Sequence, residues 1–94
     1  MKVVVTGPAE ADIEVMLDFI RRDSIAAGAA ASRALSDAIL SPADLPLRGR
    51  VGRMRDTREL LVRRTSFILV YRVVGDMVAV MRVRHASQAW PPRP

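Results

Sequence analysis

Cysteine is absent from this 94-residue sequence, histidine occurs once, and only four residues are aromatic. Without a thiol the chain can form no disulfide, no thiolate metal site and no cysteine nucleophile. A single histidine without cysteine also argues against a metal site, so we expect neither a metal nor another cofactor. Because aromatic residues are so few, the core must be built from valine, leucine, isoleucine, methionine and alanine.

Long apolar runs are absent too. The longest strand-like apolar stretch, residues 67–74, is interrupted by Arg72 and is far shorter than the ~20 residues that cross a bilayer. The N-terminus turns acidic from Glu10 and lacks the apolar run and cleavage pattern of a signal peptide. We therefore expect a cytoplasmic protein that contacts no membrane. The length predicts one domain over residues 1–94, with a small core, since such a chain removes only roughly 60 to 65% of its unfolded surface from water.

Charge is divided unevenly along the chain. Residues 1–44 carry seven acidic and four basic side chains, whereas residues 45–94 carry three acidic and eleven basic ones. All eleven are arginine, which suits planar recognition of phosphate or carboxylate. A basic half attracts nucleic acid or an acidic protein before contact is made. The second half is therefore predicted to face the partner, and its charge leaves the partner's chemistry open.

Most strand-forming residues lie in residues 58–90. Residues 67–74 and 77–84 are rich in valine and isoleucine and are separated by a Gly-Asp turn, which predicts an antiparallel hairpin. Residues 58–63 are predicted to pair on the other side of its first strand. Near the N-terminus, the β-branched residues 2–6 predict a short strand that joins the same sheet.

A first helix is predicted to begin at Thr6 or Gly7, just before a proline, and to end at residues 21–23. Acidic residues follow its start, and Asp12 lies on its predicted solvent side. The apolar side chains on its other side recur at helical spacing. They are Ile13, Met16, Leu17 and Ile20.

A second helix is predicted from Ile25 to about Leu40, capped by Asp23-Ser24 and ended by Ser41-Pro42. Its Gly28 is predicted to be the point of close approach to the first helix. Its apolar contacts are predicted to be Ile25, Leu35, Ala38 and Ile39. The fold class that follows is α+β in two layers: an N-terminal β-strand, an antiparallel helical hairpin and then a three-stranded antiparallel sheet.

Pairing on either side of the hairpin turn predicts which side chains share a face. It places Val73 opposite Val78, Tyr71 opposite Val80, Leu69 opposite Arg82 and Phe67 opposite Arg84. Arg82 and Arg84 then share a face, and two interpretations stay open. Either these arginines lie on solvated strand ends with their stems over apolar neighbours, or they form a recognition surface with Tyr71.

Two further groups have both a structural and a functional interpretation. The connection over residues 41–56 would stay solvated or would form a mobile clamp on an acidic partner or on phosphates. Its basic residues are Arg48, Arg50, Arg53 and Arg55. After the last strand, His85, Gln88 and Trp90 could form a site, or His85 could end the strand with a hydrogen bond while Trp90 packs over the sheet edge. No carboxylate lies near His85 in sequence, so no acid–base pair is visible.

These features together resemble a known family, the RelE/ParE superfamily of bacterial type II toxin–antitoxin toxins. The similarity is carried by the helix opening PAEADIEVMLDFI, by RELLV at 58–62, by FILVYRV at 67–73 and by VMRVRHASQAWP at the end of the sheet. It covers nearly the whole chain. The resemblance implies a small α+β toxin that an acidic antitoxin, encoded beside it, holds inactive. It also implies growth inhibition when the antitoxin is degraded, and contact with operator DNA only through the antitoxin.

The superfamily contains two activities. Members that cut messenger RNA on the ribosome keep one arginine after the aromatic residue that opens the third strand and another just after the last strand. Here those positions hold Ile68 and Gln88. A nuclease would then need Arg82, Arg84 or His85 as catalytic residues. ParE-like members instead block DNA gyrase by binding, which requires a surface and no catalytic set.

The leading hypothesis is therefore a ParE-like toxin that inhibits DNA gyrase and is neutralised by its antitoxin. Two alternatives are a ribosome-dependent endoribonuclease and a non-toxic, antitoxin-bound regulator of its own operon, so whether the chain is an enzyme stays open. The residues predicted to bind the target or the antitoxin are Arg50, Arg53, Arg58, Tyr71, Arg82, Arg84, His85, Gln88 and Trp90.

Overall fold

A computed structural model describes residues 1–91 of the chain. The elements are β1 Lys2–Val5, α1 Gly7–Asp23, α2 Ile25–Asp44, β2 Arg50–Val51, β3 Arg58–Leu61, β4 Phe67–Val74 and β5 Met77–His85. The predicted α+β class is confirmed, since a strand and a helical hairpin precede a mainly antiparallel sheet. Within residues 1–91, no helix has the length and apolar character needed to cross a membrane.

The sheet has five strands in the order β1-β5-β4-β3-β2, so the predicted three-stranded sheet is wrong in its strand count. β1 joins the sheet as expected and runs parallel to β5, while the other neighbouring strands pair antiparallel. The sequence does not predict β2, because a strand of two residues is too short to show an alternating pattern. β2 pairs Arg50 with Glu59, which brings part of the arginine-rich connection into the sheet.

The β4–β5 hairpin contains a bulge that the sequence does not predict. Next to the turn, the predicted pairs Val73–Val78 and Tyr71–Val80 are confirmed. The register then shifts between Val70 and Tyr71 of β4, because Val70 pairs with Arg82 and Met81 of β5 is left between two pairs. An extra residue in one strand reverses the face of every side chain that follows it.

The predicted pairs beyond the bulge are therefore wrong. Arg82 lies opposite Val70 and Arg84 lies opposite Ile68, whereas Leu69 and Phe67 pair with Val83 and His85. Leu69, Phe67 and Val83 belong to the core beneath the helices. By alternation along the strands, Arg82 and Arg84 lie on the opposite, helix-free face of the sheet.

The helical hairpin begins and turns largely as predicted. Thr6 precedes α1, and its hydroxyl donates to the carbonyls of Val80 and Met81 at 2.8 and 3.1 Å, which ties the start of the helix to β5 at the bulge. The Ser24 hydroxyl accepts from the Ala27 N–H at 3.0 Å and caps α2. A Cβ on the buried Gly28 would lie 2.5 Å from Cγ of Arg21, so the predicted close approach to α1 is confirmed.

Two predictions about α2 are wrong. The helix continues through Pro42 to Asp44, because in the last turn a proline removes one hydrogen bond while the Leu45 N–H still bonds to the Ser41 carbonyl at 3.1 Å. Ile25 makes no core contact and is 82% exposed. It lies at the tip of the hairpin, at the start of α2 and past the end of α1.

The core fills the space between the helical hairpin and one face of the sheet, which makes two layers. The four apolar residues predicted for α1 all pack into it or against it. Its buried side chains are Ala9, Leu17, Ala31, Leu35, Val62, Phe67, Leu69, Val80 and Val83.

Replacing Leu35 tests this core. The side chain is 2% exposed and packs in the central cluster, so Leu35→Ala leaves a cavity and should lower the free energy of unfolding by about 2 to 5 kcal/mol. The matched control is Leu40→Ala on the same helix, where the side chain is 62% exposed and the change should stay within about 0.5 kcal/mol. Urea unfolding followed by circular dichroism measures both, and equal losses would contradict this assignment of the core.

Candidate functional site

A buried carboxylate lies on the helix-free face, beside the edge strand β2. The side chain of Glu59 on β3 is 1% exposed. Its Oε1 accepts from Nη2 of Arg84 at 2.9 Å and from Nη2 of Arg50 at 3.1 Å, and its Oε2 accepts from the backbone N–H of Arg53 at 2.9 Å. Burial opposes ionisation, but these three hydrogen bonds outweigh it and lower the pKa of Glu59 from 4.5 to about 2.

Arg82 takes a different partner from Arg84. Its Nε and Nη2 donate to the two carboxylate oxygens of Asp12 at 2.7 and 3.0 Å, and this bidentate pair raises the pKa of Arg82 above its usual value. Asp12 also accepts from the backbone N–H of Val83 at 2.9 Å. Asp12 was predicted to face solvent and instead joins α1 to the part of β5 that β1 does not cover.

Trp90 folds back onto the same face. Its ring is buried, and its centroid lies 5.9 Å from Cζ of Arg82 and 5.7 Å from Cζ of Arg84, within the range of cation–π attraction. Nη1 of Arg53 donates to the Trp90 carbonyl at 3.3 Å. The tail is therefore held against the sheet by its ring and by its backbone. We call this connected group the arginine cluster: Arg50, Arg53, Glu59, Arg82, Arg84 and Trp90.

His85 and Gln88 lie at the exposed end of β5, beside the arginine cluster in sequence but outside it. Nδ1 of His85 lies 2.7 Å from the Ser87 hydroxyl, and the Gln88 side chain accepts from the His85 N–H at 3.4 Å. Within residues 1–91, His85 forms no hydrogen bond with a carboxylate. The described part of the chain also contains no group of three histidine, aspartate or glutamate side chains that could hold a metal ion.

Tyr71 and Arg58 fix a loop and are not part of the arginine cluster. The fully buried Tyr71 donates its hydroxyl to the Pro46 carbonyl at 2.8 Å and accepts from the Gly49 N–H at 2.9 Å. Arg58 donates to the Gly49 carbonyl at 2.9 Å. A Cβ at Gly49 would lie 2.8 Å from the Tyr71 hydroxyl, so the loop can approach this closely only with glycine there. The predicted recognition surface of Tyr71 with the two arginines is therefore not formed.

A second feature is a groove between the helical hairpin and the β3–β4 turn, which we call the helix groove. It encloses about 1120 Å³, above the ~300–1,000 Å³ of typical small-molecule pockets. Its exposed apolar side chains are Val15, Phe19 and Leu61. Its lining also includes His85 and the charged side chains of Arg33, Asp37, Arg48, Arg63 and Arg64. The sequence signal that could have indicated this groove is the pair of apolar residues Val15 and Phe19 on the solvent side of α1.

Comparisons with known proteins agree with this fold. A family model described as the ParE toxin of the type II toxin–antitoxin system, parDE, matches residues 3–90. A relative from Sinorhizobium fredii, named "Putative toxin Y4kP", is 36% identical over 73 residues, which cover 78% of this chain and 75% of that protein. A solved structure described as the chromosomal ParDE TA system from P. aeruginosa has the same fold. The superposition of the two chains has a TM-score of 0.76 at 21% sequence identity, and it covers 90% of this chain and 95% of the chain from P. aeruginosa.

The Glu59 carboxylate makes stability depend on pH. Because its pKa is about 2 when folded and 4.5 as an ordinary carboxyl, its contribution is fully present above pH 4.5 and is lost as the pH falls toward 2. At pH 7, Glu59→Gln leaves the buried Arg84 without a counter-charge and should lower the free energy of unfolding by about 3 to 5 kcal/mol.

Urea unfolding at several pH values between 2 and 7 measures both effects. The matched control is Asp56→Asn, which removes an exposed ion pair with Arg55 and should cost less than about 1 kcal/mol. The Glu59→Gln curve should also be flatter than the wild-type curve below pH 4.5. An acid-induced loss of the same size in both proteins would refute the assignment.

Proposed function

This chain belongs to the ParE toxin family of type II toxin–antitoxin systems, and we propose that it inhibits DNA gyrase by binding and is neutralised by an acidic antitoxin. The family match extends over almost the whole chain, so the proposal concerns the complete fold described above. The proposed function has two parts: the protein binds its target without catalysis, and the antitoxin occupies one surface of it.

The observation that carries the first part is the engagement of the basic side chains on the helix-free face. RNA cleavage requires cationic groups that face the substrate and an acid or base within hydrogen-bonding reach. Arg84 is buried against Glu59, and Arg82 is paired with Asp12. The two positions where nuclease members keep arginines hold Ile68 and Gln88. The face therefore supports binding better than catalysis.

The helix groove supports the second part. Its apolar residues suit one side of an amphipathic segment, because such segments bury apolar side chains in grooves of this kind. Its charged lining consists of four arginines and one aspartate, which favours a segment with carboxylates along its edges. An acidic, amphipathic stretch of antitoxin has both properties. We therefore place the antitoxin in the helix groove.

The purified chain should abolish DNA supercoiling by gyrase and leave translation intact. Supercoiling of relaxed plasmid by gyrase and protein synthesis in a reconstituted ribosomal system measure the two activities side by side. Cleavage of messenger RNA on ribosomes would contradict the proposal, most directly if Arg82→Ala or His85→Ala abolished that cleavage. Absence of any effect in both assays would favour a non-toxic, antitoxin-bound regulator.

Phe19→Glu should weaken binding of the antitoxin encoded by the adjacent gene. Phe19 is 66% exposed in the helix groove, and loss of its apolar contact, worth about 1.5 to 3 kcal/mol, corresponds to a roughly 10- to 100-fold weaker affinity. Isothermal titration calorimetry measures the affinity. Ile25→Glu, at an exposed apolar residue of α2 outside the groove, is the control and should bind like wild type. If Phe19→Glu binds the antitoxin with unchanged affinity, the helix groove is not the antitoxin site.

A further inference from the structure

We propose that a second docking surface lies at the Arg58 end of β3, where an acidic surface of the toxin's target binds. This inference rests on the proposed function, because the target is taken to be the gyrase that the toxin inhibits. The surface, which we call the β2 patch, lies where the β2–β3 loop meets the end of β4. Its apolar side chains, all exposed, are Leu47, Val51, Met54, Val73 and Val74.

The β2 patch is preorganised. The Thr57 hydroxyl donates to the Met54 carbonyl at 2.6 Å, and the Gly52 N–H donates to the Thr57 carbonyl at 2.8 Å, so the loop closes on itself. The Glu59 carboxylate holds the next residue, Arg53, by its backbone N–H. A loop fixed in this way loses little conformational entropy when a partner binds, which favours affinity.

The charges on the β2 patch select an acidic partner. Arg53, Arg55, Arg58 and Arg72 line it, against Asp56 alone among acidic residues of the lining. The Arg55 side chain is 96% exposed, and its ion pair with Asp56 at 3.8 Å holds it weakly. Nε of Arg72 is buried and has no hydrogen-bond partner within residues 1–91. A second copy of the chain would bring the same positive charges, so self-association is disfavoured.

The residue types also match those of a protein-binding surface. Arginine and methionine are enriched at protein interfaces, and an apolar centre with a charged border is their usual arrangement. Five exposed apolar side chains lie close together here. Single apolar residues scattered over a surface are normal, whereas a group of them is typical of an interaction site. The patch therefore fits an acidic protein surface with an apolar centre.

The β2 patch and the helix groove are separate surfaces. They share no lining residue. Arg58 at one end of β3 belongs to the patch and Leu61 at the other end belongs to the groove, a separation of about 10 Å along the strand. An antitoxin segment in the groove thus leaves the patch uncovered. Neutralisation then requires the part of the antitoxin outside the groove to exclude the target.

The test uses the double variant Val51→Glu/Arg55→Glu, which changes two strongly exposed side chains of the patch. The concentration needed to inhibit gyrase supercoiling should rise at least about tenfold, while the antitoxin affinity stays within about twofold of wild type. The matched control, Arg22→Glu/Ile25→Glu, makes the same kinds of change at exposed positions near the tip of the helical hairpin and should leave both values unchanged. Arg55→Glu alone should produce a smaller effect of the same sign.

Thermal unfolding establishes that each variant is folded before the two assays are compared. If wild type fails to inhibit gyrase, the proposed function and this assignment both fall. If wild type inhibits and the patch variants inhibit equally well, the β2 patch alone is overturned. Loss of gyrase inhibition together with loss of antitoxin affinity would mean one shared surface and would overturn the separation proposed here.

Discussion

Glu59 on β3 binds Arg50 of β2 and Arg84 of β5, and its ionised carboxylate lets these two guanidiniums approach one another. A buried arginine without a counter-charge costs several kcal/mol, so Arg84 can occupy its place only while Glu59 is charged. The same carboxylate holds the backbone of Arg53, which in turn holds the carbonyl of Trp90. One acidic side chain thus positions a loop, a strand end and the tail.

The surfaces proposed here to bind partners lie away from the residues that the sequence suggested for binding. The arginines at the end of β5 are the residues that most resemble a catalytic or binding set in sequence. In the fold, however, they are the internal partners of two carboxylates. The surfaces left with exposed apolar and basic side chains lie at the two ends of β3. Burial of charge in one place and exposure of apolar residues in others both support the proposal that the protein acts by binding.

Much of the fold could be predicted because the signals were local. The apolar spacing of α1, the Ser24 cap and the Gly75 turn each depend on neighbouring residues, and the structure contains all three. The site could not be predicted to the same extent, because its pairs join residues far apart in the chain. Asp12 and Arg82 are 70 positions apart, and Glu59 and Arg84 are 25 apart. Asp12 was predicted to face solvent and Glu59 was assigned no role, yet these two carboxylates are the centres of the arrangement. Their partners depend on a bulge that leaves no alternation signal in a valine-rich strand.

That bulge also sets how the gene encoding this protein can change. With Met81 as the extra residue of β5, the side chains on its two sides follow opposite parity. Loss of the Met81 codon would remove the bulge and keep the other faces, because Arg82 would follow Val80 directly and still lie opposite Val70, away from the helices. If Met81 instead paired regularly with Val70, Arg82 and Arg84 would turn toward the helices and Val83 would turn outward. The strand can therefore lose one residue at Met81 without a change of face, whereas a regular strand of the present length cannot keep the observed faces.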